Sequence, residues 1–153
     1  TTTEVALTTP LIRVFRAKVL ENVVITSDIH VCNSGDTIHY AIMRAGMNQT
    51  LMAIYTVPAG KTALMTRMYS SVVDATNKTP TSTIFSLWMA DRENGYEFQI
   101  KNAFGIPHAG QFVEQKFDPY MKINEKTDIK IKCMPTDEDG DVASGFDLYL
   151  IDN

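Results

Sequence analysis

Apolar and polar residues alternate with a period of two along most of this chain, and clusters of turn-forming residues break the alternation at short intervals. Between Thr37 and Ala45, Ile38, Tyr40 and Ile42 alternate with His39, Ala41 and Met43. Between Thr83 and Ala90, Phe85, Leu87 and Met89 face one way and Ile84, Ser86 and Trp88 the other. Tyr96, Phe98 and Ile100 alternate with Glu97, Gln99 and Lys101, and Ile129, Ile131 and Cys133 with Lys130 and Lys132. Successive side chains of a strand point to opposite faces, so each run predicts a strand with one face buried and one wet.

The turns fix how these strands connect. Asn33-Ser34-Gly35-Asp36 separates a strand within Val23 to Asn33 from the next one and predicts a hairpin. Pro58-Ala59-Gly60-Lys61 sits inside the run Tyr55 to Tyr69, around which the chain is organised. There Pro58 presets φ and Gly60 accepts a positive φ, and a long strand follows. Asn94-Gly95 predicts a second hairpin. Residues 74–82 read as a polar loop and 103–110, with two glycines and Pro107, as another. Gln111 to Phe117 predicts a strand closed by Asp118-Pro119, with a short strand at Tyr120 to Ile123. Gly145 to Ile151 is apolar at nearly every position after Asp147, which predicts a central strand buried on both faces. Leu11 to Leu20 has no clean period and reads as a strand or an extended crossover.

About nine or ten short strands with no helical stretch predict an all-β protein, an antiparallel β-sandwich of the jelly-roll kind. With 153 residues the chain is long enough for one domain with its own core. Residues 1–20 are expected to form an N-terminal arm or first strand, and residues 21–153 the sandwich. Thr1 to Thr9 reads either as a frayed end or as an arm that orders on a neighbouring subunit.

Composition narrows the function classes. A net charge of −4 argues against nucleic acid or an anionic membrane as partner. No apolar run has the length of a membrane span, and the start carries no signal-peptide pattern. The opening Thr1-Thr2-Thr3 fits trimming of an initiator methionine and synthesis in a cytoplasm. Cys32 and Cys133 are the only cysteines, too far apart in sequence for a metal or redox motif, and are expected as thiols on separate strands.

Motifs of catalysis are weak. Gly60-Lys61-Thr62 resembles the end of a phosphate-binding loop, but the motif's first glycine would fall at Tyr55, and a strand follows where a helix is needed. Asp137-Glu138-Asp139-Gly140-Asp141 has the carboxylate density of a calcium loop, yet the closing glutamate of an EF-hand would fall at Leu148. It reads as a solvated turn or an irregular calcium loop. His30 and His39 are placed to face each other across the first hairpin, without a carboxylate at a suitable offset on either strand, and His108 stands apart. Asp91, Arg92 and Glu93 read as a solvated hairpin tip. No serine or cysteine has the setting of a nucleophile, so no catalytic, cofactor or metal-binding residue is assigned and no enzyme is expected. Met43, Met47, Met52, Met65, Met68, Met89, Met121 and Met134 are many for a small sandwich, and fit either adaptable interfaces or gap-filling in the core.

The run Tyr55-Thr56-Val57-Pro58-Ala59-Gly60-Lys61-Thr62 resembles a phrase in small β-sandwich structural proteins of tailed bacteriophages. There it follows a hairpin like Ile29 to Met43 and opens a long strand. The ending, Lys126-Thr127-Asp128-Ile129 through Gly145 to Asp152, is similar to their last two strands. The resemblance implies a non-enzymatic virion component, a capsid decoration or a tail or fibre part, made in the host cytoplasm. Its partners would be identical subunits in a homo-oligomer and the major capsid or tail proteins. The rival expectation is a module binding a receptor or glycan through residues 103–110 and 137–141, with Trp88 and the tyrosines as stacking platforms.

Overall fold

The computed structural model describes residues 5–11, 13–21, 23–73, 82–107, 110–136 and 141–153. All regular structure among them is strand. The chain divides into two compact units, residues 1–52 and 53–153. The first hairpin, expected with the sandwich, lies in the first of these units.

In the N-terminal unit, β1 (Ile29–Cys32) and β2 (His39–Met43) form the expected antiparallel hairpin. Asn33 builds its turn: its Oδ1 accepts from the Thr37 and Ile38 N–H groups at 3.0 and 2.7 Å, and its Nδ2 donates to Thr37 Oγ1 at 2.7 Å. Gly35 and Asp36 take positive φ there, a conformation open to Gly and tolerated by Asp. The expected strand at Leu11 to Leu20 reduces to one bridge between Lys18 and Gln49, flanked by Val19 N–H to Asn48 O and Thr50 N–H to Ala17 O bonds of 2.9 Å. An extended crossover is what remains of it.

Among the described residues the C-terminal unit holds seven strands: β3 (Ile54–Thr56), β4 (Lys61–Val73), β5 (Thr83–Ala90), β6 (Gln99–Ile106), β7 (Phe112–Ile123), β8 (Asp128–Pro135) and β9 (Asp141–Asp152). They form a four-stranded sheet in the order β3-β8-β5-β6 and a three-stranded sheet in the order β7-β4-β9, with every pair antiparallel. The two sheets share one core, in which Ala63, Met65 and Met68 of β4 and Ile123 of β7 meet Leu87 and Met89 of β5 and Ile129 of β8. A smaller cluster of Val72, Phe85 and Ile106 continues it. The all-β antiparallel class is as expected. The four-plus-three arrangement, with consecutive β5 and β6 side by side, differs from the two four-stranded sheets of the expected jelly roll.

Bulges decide which side chains face inward. In β4, Met65 pairs with Leu148 and Arg67 with Asp147, so Thr66 is an extra residue. Its hydroxyl donates to the Asp147 carbonyl at 3.3 Å. The inward positions accordingly shift from Ala63 and Met65 to Met68, Ser70 and Val72. Across from Thr66, residues 117–120 loop out of β7, with a cis peptide between Asp118 and Pro119. Two strands were expected there, and one continuous strand with a bulge is found. In β6, Leu87 pairs with Asn102 but Trp88 with Ile100, so Lys101 is the extra residue. That single residue turns Phe98 and Ile100 to the outer face, where they stand 39% and 55% exposed, against the expected burial. The same strand extends through residues 103–106, which were expected in a loop.

β9 is also a correction. It pairs only with β4 and forms an edge, with Tyr149, Leu150 and Ile151 exposed. An apolar run reports that both faces of a strand are greasy, but not that anything covers the second one. Central position belongs to β4, the strand opened by the Pro58 to Lys61 turn.

The bulge in β6 makes a measurable distinction. Leu87→Ala empties a fully buried site and is expected to lower stability by about 2–5 kcal/mol. Ile100→Ala, predicted to matter equally from the alternation alone, should cost within about 0.5 kcal/mol. Urea midpoints of the two variants check this, and a comparable loss for Ile100→Ala would contradict the register.

Candidate assembly surface

The outer face of the three-stranded sheet carries a cluster of interacting side chains. The bulge at Thr66 sets Arg67 and Tyr69 on that face. Arg67 Nε donates to Asp147 Oδ2 at 2.5 Å from β9, and its Nη1 to Glu114 Oε1 at 3.0 Å from β7, so one guanidinium ties all three strands. These bonds, Asp147 foremost, raise the pKa of Arg67. The guanidinium also lies 5.8 Å from the centre of the Tyr69 ring. Tyr69 crosses over Gly145, its partner on β9, so closely that a Cβ there would stand 2.6 Å from the phenol oxygen. Phe112 adds a tilted ring contact at 6.4 Å.

Beside this cluster lies an open groove of about 1080 Å³, lined among others by Tyr55, Phe117, Tyr120, Phe146, Leu148 and Tyr149. The looped residues 117–120 form one wall. Along the rest of the sheet, Phe112, Tyr120, Tyr149 and Ile151 are large, apolar and 47–64% exposed. The β9 edge adds a row of backbone groups with no strand beyond it among the described residues. Two of its three carboxylates are matched, Asp147 by Arg67 and Asp152 by Lys61 Nζ at 2.5 Å.

The other sheet edges are guarded. β3 is three residues long, β7 carries Pro119 and the outward loop, and β6 is bulged at Lys101. On the outer face of the four-stranded sheet, cations cover the aromatics. Lys130 Nζ stands 3.3 Å from the Phe98 ring centre and Lys132 Nζ 4.8 Å from that of Trp88. Burial, then repulsion from Lys132, lowers the pKa of Lys130, with Asp128 opposing. Trp88 Nε1 donates to Ser86 Oγ at 2.7 Å, so both its polar tip and one ring face are engaged within the chain.

The sequence candidates fall out as follows. Gly60-Lys61-Thr62 is a hairpin-like turn. The Gly60 N–H donates to Glu125, Lys61 binds Asp152, and Thr62 Oγ1 meets Asn153 Oδ1 at 2.6 Å, which ties the turn to the C-terminus and away from phosphate chemistry. Asp91 accepts from the Asn94 N–H and side chain at 2.8–2.9 Å, and Glu93 accepts from Asn124, so the hairpin tip is a capped turn. Cys32 and Cys133 are thiols in β1 and β8, in separate units. His30 and His39 are brought together as expected, but not as direct partners: His30 pairs with Ile42 and Cys32 with His39, and the bulge that leaves Tyr40 as an extra residue puts the two rings on one face. His108 and Asp137 to Gly140 lie outside the described residues, as do residues 74–81 of the expected polar loop. Among the described residues no three His, Cys, Asp or Glu side chains cluster for a metal. Met65, Met68 and Met89 pack in the main core and Met43 is buried, whereas Met47 and Met134 are exposed. The apolar surplus at the surface is thus mainly aromatic and aliphatic. Arg67, Tyr69 and Gly145 were missed because their meeting depends on the β4–β9 register, although Gly145 inside a strand pattern is a known mark of close approach.

The sheets and this surface define an all-β protein of antiparallel sheets with one long open edge. In comparison with known proteins, no family model, no curated protein and no solved structure matches the chain.

Gly145→Ala should therefore push against the Tyr69 ring and cost about 1–3 kcal/mol. In a Tyr69→Ala background the same change should be near neutral, and a double-mutant cycle on denaturant midpoints measures the difference. Equal costs in both backgrounds would contradict the stacking.

Proposed function

We propose that this chain is a non-enzymatic structural subunit of a virion, a decoration or tail-associated protein that assembles with identical copies. The resemblance of its Tyr55 to Thr62 phrase and of its last two strands to phage sandwich proteins supplies the setting. The observation that carries the assembly is the β9 side of the sandwich. It is a twelve-residue edge without proline or lysine, with Asp147 and Asp152 paired to Arg67 and Lys61 and with Tyr149, Leu150 and Ile151 exposed. Long exposed edges are templates for pairing, and natural proteins blunt them unless they are used. Here the other edges are blunted and this one is not.

A second copy pairing along β9 would satisfy the open backbone groups and cover the apolar side chains. A stable contact needs about 800 Å² per partner, and the groove beside residues 117–120 extends the surface available for it. The described part of the N-terminal segment offers matching material, with Val5, Leu7 and Leu11 all more than half exposed. Attachment to capsid or tail proteins would use the same chemistry, the covering of greasy sheet surface by a neighbour.

Light scattering coupled to size-exclusion chromatography tests the assembly. The full chain is expected to run as an oligomer, and Tyr149→Lys with Ile151→Lys to shift it towards monomer with its circular dichroism unchanged. A wild-type monomer at high micromolar concentration, with no binding to phage particles, would overturn the proposal.

A further inference from the structure

The hairpin of the N-terminal unit carries a second chemistry. His30 on β1 and His39 on β2 meet with their Nδ1 atoms 2.6 Å apart and their rings edge-on, centroids 4.6 Å apart. Nδ1–Nδ1 contact of that length requires one nitrogen to donate and the other to accept. Asp36 decides which. Its Oδ1 lies 3.4 Å from His39 Nε2, on the far side of the ring, which favours the His39 proton on Nε2 and leaves a lone pair on Nδ1. A carboxylate behind an imidazole in this way is the usual outer support of a metal-binding histidine. Neither β1 nor β2 carries a carboxylate, and the turn supplies one, held by the Asn33 hydrogen bonds and by the Asp36 N–H to Asn33 O bond of 3.1 Å.

We infer that His30 and His39 form a two-histidine chelate for a divalent transition-metal ion of the nitrogen-seeking kind, Cu²⁺, Ni²⁺ or Zn²⁺, with Asp36 supporting His39. Metal–nitrogen bonds of about 2.0–2.1 Å meeting at a right angle set the two donors about 2.9 Å apart, and a tetrahedral angle sets them about 3.3 Å apart. The observed contact is closer to the first value, so Cu²⁺ and Ni²⁺ need the smaller ring rotation. On binding, the ion takes the place of the shared Nδ1 proton: His30 gives up its Nδ1 proton to water and takes one up at Nε2, so that the ring stays neutral with no net proton released, and the two Nδ1 lone pairs become metal–nitrogen bonds. The site is solvent-exposed and flanked by acidic groups. Asp36 lies at His39, and the nearby Asp28 carboxylate is held by the Ala45 N–H and by Arg44, which lower its pKa. Water fills the remaining positions, since no third protein ligand clusters with the pair among the described residues.

The consequence is mechanical. Among the described residues of the N-terminal unit the only strands are those of this two-stranded hairpin, and such hairpins are marginal in water by themselves. An ion bridging β1 and β2 cross-links the strands at the turn end and favours the folded unit by mass action.

Titration of the full chain with Cu²⁺ or Ni²⁺ alone, followed by calorimetry, tests the site. One ion per chain is expected, with affinity reduced at least about tenfold by His30→Gln or His39→Gln and up to about tenfold by Asp36→Asn. His108→Gln should leave it unchanged. Because a histidine variant that loosens the hairpin would also lose the ion, the Cu²⁺-loaded wild type is read by electron paramagnetic resonance, where two equatorial imidazole nitrogens are expected. A spectrum without that nitrogen coupling, or full affinity in the His30→Gln/His39→Gln double variant, overturns the proposal.

Discussion

The phase of β4 governs the C-terminal unit. This strand lies between β7 and β9, so its inner face must stay apolar along its length while its outer face meets solvent or a neighbour. A strict period of two would run Ala63, Met65, Arg67, Tyr69 inward and drive a guanidinium into the core. The extra residue Thr66 shifts the phase, so that Met68, Ser70 and Val72 take over the inward positions. Burial of an unmatched charge is far costlier than one disrupted ladder step, and the Thr66 hydroxyl restores part of that step by bonding the Asp147 carbonyl.

What the bulge removes from the core it assembles outside. Arg67 comes beside Asp147 and Glu114, and Tyr69 comes over Gly145. The three strands are thereby joined by side chains as well as by their backbone ladders, and the carboxylate that would repel a partner at the β9 edge is neutralised. The same shift opposite Thr66 throws residues 117–120 out of β7 and opens the groove. One inserted residue thus connects core packing, outer-face electrostatics and the shape of the surface available to another chain.

The two units differ in how they are stabilised. The C-terminal unit has a continuous core between two sheets, with Met65, Met68, Leu87 and Ile129 fully enclosed. The N-terminal unit buries Ala41, Met43 and Thr50 and relies on turn hydrogen bonds from Asn33, the Asp28 bonds to Arg44 and Ala45, and the backbone bonds between Ala17 to Val19 and Asn48 to Thr50. Small apolar cores gain from added cross-links, whether from a neighbouring subunit or from an ion held by His30 and His39.

Local patterns determined the strand content, the hairpin at Asn33 to Asp36, the limits of β5 and the turn that opens β4, because alternation and turn chemistry act within a few residues of chain. The approach of His30 and His39 was legible only in part, since the hairpin brings them near each other but the bulge at Tyr40 puts them on one face. Only the tertiary structure decided that Phe98 and Ile100 point outward, that β7 runs on past Pro119 and that β9 is an edge. A bulge inverts every side chain beyond it at the expense of one residue, and nothing in the alternation on either side announces it. The meeting of Arg67, Asp147 and Glu114 likewise depends on pairings between strands far apart in sequence, which only the folded sheets bring into register.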